Sequence, residues 1–317
     1  MAILVHEKHR GDATGIPGSG TEQFNNLFIS APGCSRIGNT IRSRSALDGN
    51  FMKRTCILIL TSLLLVACAT SPTGRRQLML VSEQQAISAS KVAYAQTLKP
   101  LAEEGKVDND PALKKRVTTI TERLVAQAVK MRPATAKWEW SIKVIDDPDV
   151  VNAWCMAGGK MAIYTGLIEK LHATDDEIAQ VMGHEIAHAL ANHQAEQMSV
   201  ALATTIGVTA VGVASDRPGL AMPAAAAAAA LAIKLPNSRT AETEADRIGI
   251  ELAAKAGYNP QAAVTLWEKM AKVGGPNPPQ FLSTHPSPAN RLQNLRQLVP
   301  RMMPYYKSKE PRPVFKF

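Results

Sequence analysis

The sequence predicts an α+β, mostly helical domain with a small sheet and one long, well-capped helix at its centre. Three observations lead there. Apolar residues recur at spacings of three and four through several long segments. Trp138 to Ile145 alternates large apolar with polar residues, as a strand does. Thr174 with Glu177 opens the strongest helical stretch as a capping box. The chain has 317 residues, 36 Lys plus Arg against 27 Asp plus Glu, and 45% hydrophobic residues, which excludes a long disordered polyelectrolyte and a many-pass membrane protein. Cysteines at 34, 56, 68 and 155 show no clustered spacing, which removes a disulfide scaffold, a zinc knuckle and an iron–sulfur ferredoxin. A histidine-based metal site is untouched by that argument.

Residues 52–68 read MKRTCILILTSLLLVAC, a positive end, a short apolar segment and a small-residue cleavage site. The stretch is too short to span a membrane. Its last four residues resemble a lipobox, which makes Cys68 the expected lipid attachment point and first mature residue. Ala69, not an aspartate, follows, which in similar lipoproteins favours the outer membrane. The expected organisation is therefore an upstream, disordered, non-native extension at 1–51, a lipoprotein signal peptide at 52–67, a tether at 68–80, the main domain at 81–300 and a tail at 301–317. From residue 68 onward there are 29 Lys plus Arg and 23 Asp plus Glu, a net charge near +6 that suits an anionic membrane surface. No Lys/Arg stripe is interleaved with aromatics, so no nucleic-acid partner is expected.

Helices are expected over 82–98 and 111–131; in the second, Leu113, Val117, Ile120, Leu124 and Ala128 line one face. A strand over 138–145 is stopped by Asp146-Asp147-Pro148. Residues 151–156 and 160–165 form a hairpin around Gly158 and Gly159. The capped helix then runs over 174–193, with Asp175 and Asp176 at the positive end of its dipole. Two charge-free pieces, 199–214 and 219–233, read first as a buried helical hairpin, with a lid touching lipid or membrane insertion as alternatives. Helices over 240–256, 260–272 and 288–299 follow, the last with Ser287 as cap and Pro288 at its first position.

The central helix carries His184-Glu185-Ile186-Ala187-His188. Four residues turn through about 400°, so the two imidazoles stand on one face, spaced to grip one ion. Glu185 lies about 100° around, within reach of a water at that ion. A catalytic zinc site needs a third ligand. His193 lies about 180° from His184 around the helix, which makes it a surface or packing residue. In Ser238-Arg239-Thr240-Ala241-Glu242-Thr243-Glu244-Ala245-Asp246, Glu242 and Asp246 share a face while Glu244 points away. That pair suits a ligand and an outer carboxylate, or else a solvated acidic helix start.

Four ordered stretches resemble the gluzincin metallopeptidases of the HtpX and CAAX-prenyl-protease type, most closely the periplasmic lipoprotein branch containing LoiP and BepA: NAWCMAGGKMAIYTGL at 152–167, HEIAH at 184–188, SRTAETEAD at 238–246 and STHPSPANR at 283–291. The resemblance implies a zincin-like metallopeptidase fold, one Zn2+ per chain on His184, His188 and Glu242, and Asp246 as outer partner of His184. It also implies His285 and Arg291 over the metal, each able to stabilise the developing oxyanion, with His285 able to occupy the open coordination position. A bound zinc would acidify the attacking water and polarise the scissile carbonyl, and Glu185 is the residue expected to take the proton and deliver it to the leaving amine. BepA-like relatives carry a tetratricopeptide array that the sequence does not show.

Asn152, Ala153, Trp154, Cys155 and Met156 are the expected edge strand for an extended polypeptide, with Gly158 and Gly159 leaving room for its approach. Cys155 reads as a free buried thiol and Trp154 as a packing residue. The expected function is an endopeptidase of unfolded or misassembled envelope proteins, lipid-anchored on the periplasmic face of the outer membrane. A holdase or assembly lipoprotein that keeps the zinc fold with little turnover is the alternative.

Overall fold

The computed structural model describes residues 68–215, 217–229, 235–273, 280–285 and 290–317. The expected signal segment and everything before it lie outside the described residues, as do Ser287 and Pro288.

The first described elements are β1 (Cys68–Thr70) and β2 (Arg76–Leu78), an antiparallel hairpin. Gly74 takes φ 88° in its turn, which suits glycine. The expected tether is thus folded chain. Next, α1 (Glu83–Glu103) begins at a capping box of Ser82 and Gln85 and runs past the expected end at 98, with Pro100 inside it. In α2 (Pro111–Met131), Asp110 caps the Ala112 and Leu113 amides and Pro111 sits in the first turn, where its missing N–H costs nothing. Its apolar row, Val117, Ile120, Leu124 and Ala128, is buried as the spacing requires.

The strands β3 (Ser141–Ile145), β4 (Ala153–Met156) and β5 (Lys160–Tyr164) form a sheet in the order β3-β5-β4, with β3 parallel and β4 antiparallel to β5. β3 is shorter than expected because a 3-10 turn over Pro133–Lys137 feeds it and its partner strand begins opposite Ser141. Gly158 and Gly159 take φ 82° and 79° in the β4–β5 turn. A Cβ on Gly159 would lie 2.3 Å from the Trp140 ring, and one on Gly158 would lie 2.9 Å from Ile87. The space expected for a substrate is therefore filled by the protein's own side chains.

After the short α3 (Thr165–Lys170), the central helix α4 (Asp175–Leu190) starts at the Thr174–Glu177 capping box and is buried throughout from Glu177 to Leu190. It lies against α2, β4, α7 (Leu235–Lys255) and α8 (Ala262–Val273), at the middle of one continuous apolar core. α4 ends earlier than expected, at Leu190, because Asn192 adopts φ 55° and starts a new helix, α5 (His193–Ala214). α4 and α7 meet backbone to backbone at two glycines. A Cβ on Gly183 would stand 2.8 Å from the Gly249 carbonyl oxygen, and one on Gly249 2.7 Å from the His184 nitrogen.

α5 and α6 (Pro218–Ala229) pack on each other, yet Leu202, Ile206, Val211 and Leu220 are exposed, which corrects the expectation of a buried hairpin. The physical reason is area: alanine and glycine side chains bury too little surface to hold the pair onto the body. No helix among the described residues is long and apolar enough to cross a membrane. The short α9 (Gln280–Thr284), unmarked in the sequence reading, precedes α10 (Arg291–Lys307), which overruns its expected end at 299. The residues after 300 are no free tail: the Phe315 amide donates to the Glu122 carbonyl at 3.1 Å, and its ring packs on the core.

Candidate active site

The helical period of α4 puts His184 and His188 one turn apart, both 6% exposed, with their Nε2 atoms 3.0 Å from each other. The glycine contact brings the start of α7 alongside. Glu242 places Oε2 3.2 Å from His184 Nε2 and Oε1 3.4 Å from His188 Nε2. Donors bound tetrahedrally at zinc's usual 2.0–2.1 Å stand about 3.4 Å apart. The triangle of two imidazole nitrogens and a carboxylate therefore has the size and chemistry of a zinc ligand set. His285, from the end of α9, sets Nδ1 3.4 Å from His184 Nε2 and 3.1 Å from Glu242 Oε1, at the fourth corner. Its other nitrogen lies 3.3 Å from Glu185 Oε1.

Asp246, one turn after Glu242, reaches His184 Nδ1 at 3.0 Å, so the ring's second nitrogen is held by a carboxylate. Arg291, at the first position of α10 and 2% exposed, donates to Asp246 Oδ1 at 2.6 Å and to Glu242 Oε2 at 3.2 Å. Its guanidinium stacks 3.7 Å from the Trp267 ring centroid. The donors expected to face an oxyanion are thus engaged by the two carboxylates.

Glu185 is 2% exposed, and its Oε1 has no hydrogen-bond partner. Burial raises its carboxyl pKa above the usual carboxylate range, only partly offset by His285, His184 and the backbone N–H of Cys155. Burial would lower the His184 pKa, but hydrogen bonds to Asp246 and Glu242 outweigh it and raise it to about 9. For His188 burial prevails and holds the ring well below its ordinary value. Burial opposes ionisation of Glu242, but His188, His184 and His285 keep it far below the carboxylate range.

β4 is the outer strand of its sheet and runs beside α4, yet Asn152 to Met156 are all buried. The Ala153 amide donates to its neighbour's side-chain oxygen, Asn152 Oδ1, at 3.0 Å, and Gln194 donates to the Cys155 carbonyl at 2.6 Å. The open edge expected here is covered in this conformation. Cys155 is a free buried thiol whose pKa burial pushes well up, and Trp154 packs edge-on against Tyr94.

Sequence reasoning missed a second set of residues behind the cluster. His193, 1% exposed, has Nδ1 2.8 Å from His188 Nδ1 and Nε2 3.2 Å from Glu244 Oε2. Rotation arithmetic put His193 on the far side because it assumed one unbroken helix; the left-handed Asn192 redirects it. Glu244 does point away from the donor triangle, but into a buried group. Ser71 and Thr73 donate to it, and Arg75 Nε reaches it at 2.7 Å. Those hydrogen bonds and His193 outweigh burial and hold the Glu244 carboxyl far below its ordinary value.

A buried His–His–Glu cluster beside a second buried glutamate, presented by a helix on a three-stranded sheet, defines a zincin-like peptidase domain. Residues 111–299 match Peptidase family M48, and the chain belongs to that family. Peptidases of the family are zinc-dependent. Among its relatives, the mitochondrial metalloendopeptidase OMA1 of Arabidopsis thaliana is 40% identical over 53% of this chain and 34% of its own length. The Bos taurus metalloendopeptidase OMA1, mitochondrial, is 32% identical over 73% and 46%. The beta-barrel assembly-enhancing protease of Yersinia pestis is 31% identical over 62% and 41%. The chain spans about half or less of the length of these relatives.

Proposed function

We propose that the chain is a zinc-dependent endopeptidase in which His184, His188 and Glu242 hold the ion. The observation that carries this reading is the 3.0–3.4 Å donor triangle with Glu185 beside it, its Oε1 making no hydrogen bond. The ion, when bound, supplies Lewis acidity to the attacking water and the scissile carbonyl. Glu185 takes the proton of that water: burial raises its pKa, and its Oε1 makes no hydrogen bond, although His285 Nε2 stands 3.3 Å away. The same carboxyl then protonates the leaving amine. Asp246 fixes the His184 ring, and Arg291 steadies both Asp246 and Glu242 by charge-assisted hydrogen bonds.

His285 sits at the fourth corner in this conformation, where it excludes substrate and water from the cluster. Latency until the His285 ring leaves that corner follows from this placement. Strand addition along β4 then requires Gln194 to release the Cys155 carbonyl. Of the two oxyanion donors inferred from the sequence, His285 is the one beside Glu185.

The MKRTCILILTSLLLVAC pattern supports a lipid anchor at Cys68 and a place on the periplasmic face of the outer membrane. The relatives named beta-barrel assembly-enhancing protease agree with unfolded or misassembled envelope proteins as substrates. The test is cleavage of unfolded casein by the purified mature chain. Activity is expected to vanish on chelation and return with zinc, and His285→Ala is expected to cleave faster than the unaltered protein. Cleavage indifferent to chelation would end the proposal, and slower cleavage by His285→Ala would replace latency with a catalytic role for that ring.

A further inference from the structure

The two imidazoles of the cluster are held from behind in different ways. His184 Nδ1 meets a carboxylate directly. His188 Nδ1 meets another imidazole, and only beyond that, at Glu244, is there a charge. The proton directions along this second path are determined by bonding alone. With His188 Nε2 turned to the donor triangle, its one proton is on Nδ1, 2.8 Å from His193 Nδ1, which must accept. His193 then carries its own proton on Nε2, 3.2 Å from Glu244 Oε2. Glu244 receives Ser71, Thr73 and Arg75 as well, all from the β1–β2 hairpin. Arg75 is anchored on its other side by Glu196, with Nη1 and Nη2 2.7 and 2.6 Å from its two carboxylate oxygens.

We propose that His193, Glu244 and Arg75 are positioning residues that fix the tautomer and aim of His188, so that the β1–β2 hairpin is a working part of the metal site. The inference rests on His188 being a ligand. The hairpin starts at Cys68, so a segment at the proposed membrane anchor is bonded, through three side chains, to the ring that grips the ion.

The test is zinc affinity of the mature protein, measured by competition with a chromophoric chelator, together with nitrogen-15 spectra of the histidine-labelled, zinc-loaded protein. Glu244→Gln and His193→Asn are expected to bind zinc about 10- to 100-fold more weakly, the usual effect of losing an outer partner. Ser199→Ala removes the part-buried bond that Ser199 Oγ accepts from the Val81 amide at the same junction, without touching the relay, and is expected to bind like the unaltered chain. The spectra, which need no variant to fold, are expected to show His188 protonated on Nδ1 and His193 on Nε2. A His193 protonated on Nδ1, unaltered affinity in Glu244→Gln, or an equal loss in Ser199→Ala would overturn the relay. Glu242→Ala separates this from the parent reading: if it binds zinc normally the ligand set is wrong, and if it loses zinc while Glu244→Gln keeps it, the relay alone fails.

Discussion

Glu185→Gln is expected to keep one zinc per chain and to cleave unfolded casein about 10²- to 10⁴-fold more slowly, the range that a positioned general base contributes. The substitution is nearly isosteric and leaves the donor triangle intact, since Glu185 is not one of its corners. What disappears is a carboxylate oxygen that makes no hydrogen bond, although His285 Nε2 stands 3.3 Å away, on a group whose pKa burial raises. A buried carboxylate with one oxygen left without a hydrogen bond is costly, and a structural metal site gains nothing from keeping one. This separates an enzyme from a holdase built on the same fold: undiminished cleavage by Glu185→Gln would discard the proposed proton path, and loss of zinc would mean that Glu185 is itself a ligand.

Gly249→Ala is the second large effect. Its Cβ would lie 2.7 Å from the His184 nitrogen and 2.8 Å from the His184 Cα, backbone atoms that cannot rotate away. Helices α4 and α7 must therefore part, and their separation sets the distance from His184 to Glu242 and Asp246. Overpacking of this kind costs about 1–3 kcal/mol of stability. The melting temperature of the variant should fall, and its zinc affinity should fall with it. Gly207→Ala is the control, on an exposed stretch of α5 where a Cβ meets nothing within 4 Å. It should be neutral or slightly stabilising, because alanine favours helix by about 1 kcal/mol over glycine. Normal zinc affinity in Gly249→Ala would show that the glycine contact does not set the site's geometry.

The parts of the site legible in the sequence are those governed by one helix. His184, Glu185 and His188 follow from a fixed rotation per residue, and the cap at Thr174 and Glu177 is local chemistry. Glu242 and Asp246 follow only in part: spacing puts them on one face, but their arrival at His184 depends on Gly183 and Gly249, whose contact no local pattern reveals. His193 was misplaced because one left-handed residue, Asn192, ended the rotation on which the estimate relied. The β1–β2 hairpin read as a tether because its role lies in bonds to residues more than a hundred positions away. The charge-free α5–α6 pair read as buried because composition was taken for burial, whereas its small side chains leave it projecting.

X-ray absorption at the zinc edge of the loaded mature protein tests the His184–His188–Glu242 ligand set most directly. The expected spectrum has imidazole nitrogens and carboxylate oxygen at about 2.0–2.2 Å and is lost with the ion in Glu242→Ala. A sulfur shell at about 2.3 Å, or an unchanged spectrum in Glu242→Ala, would contradict it.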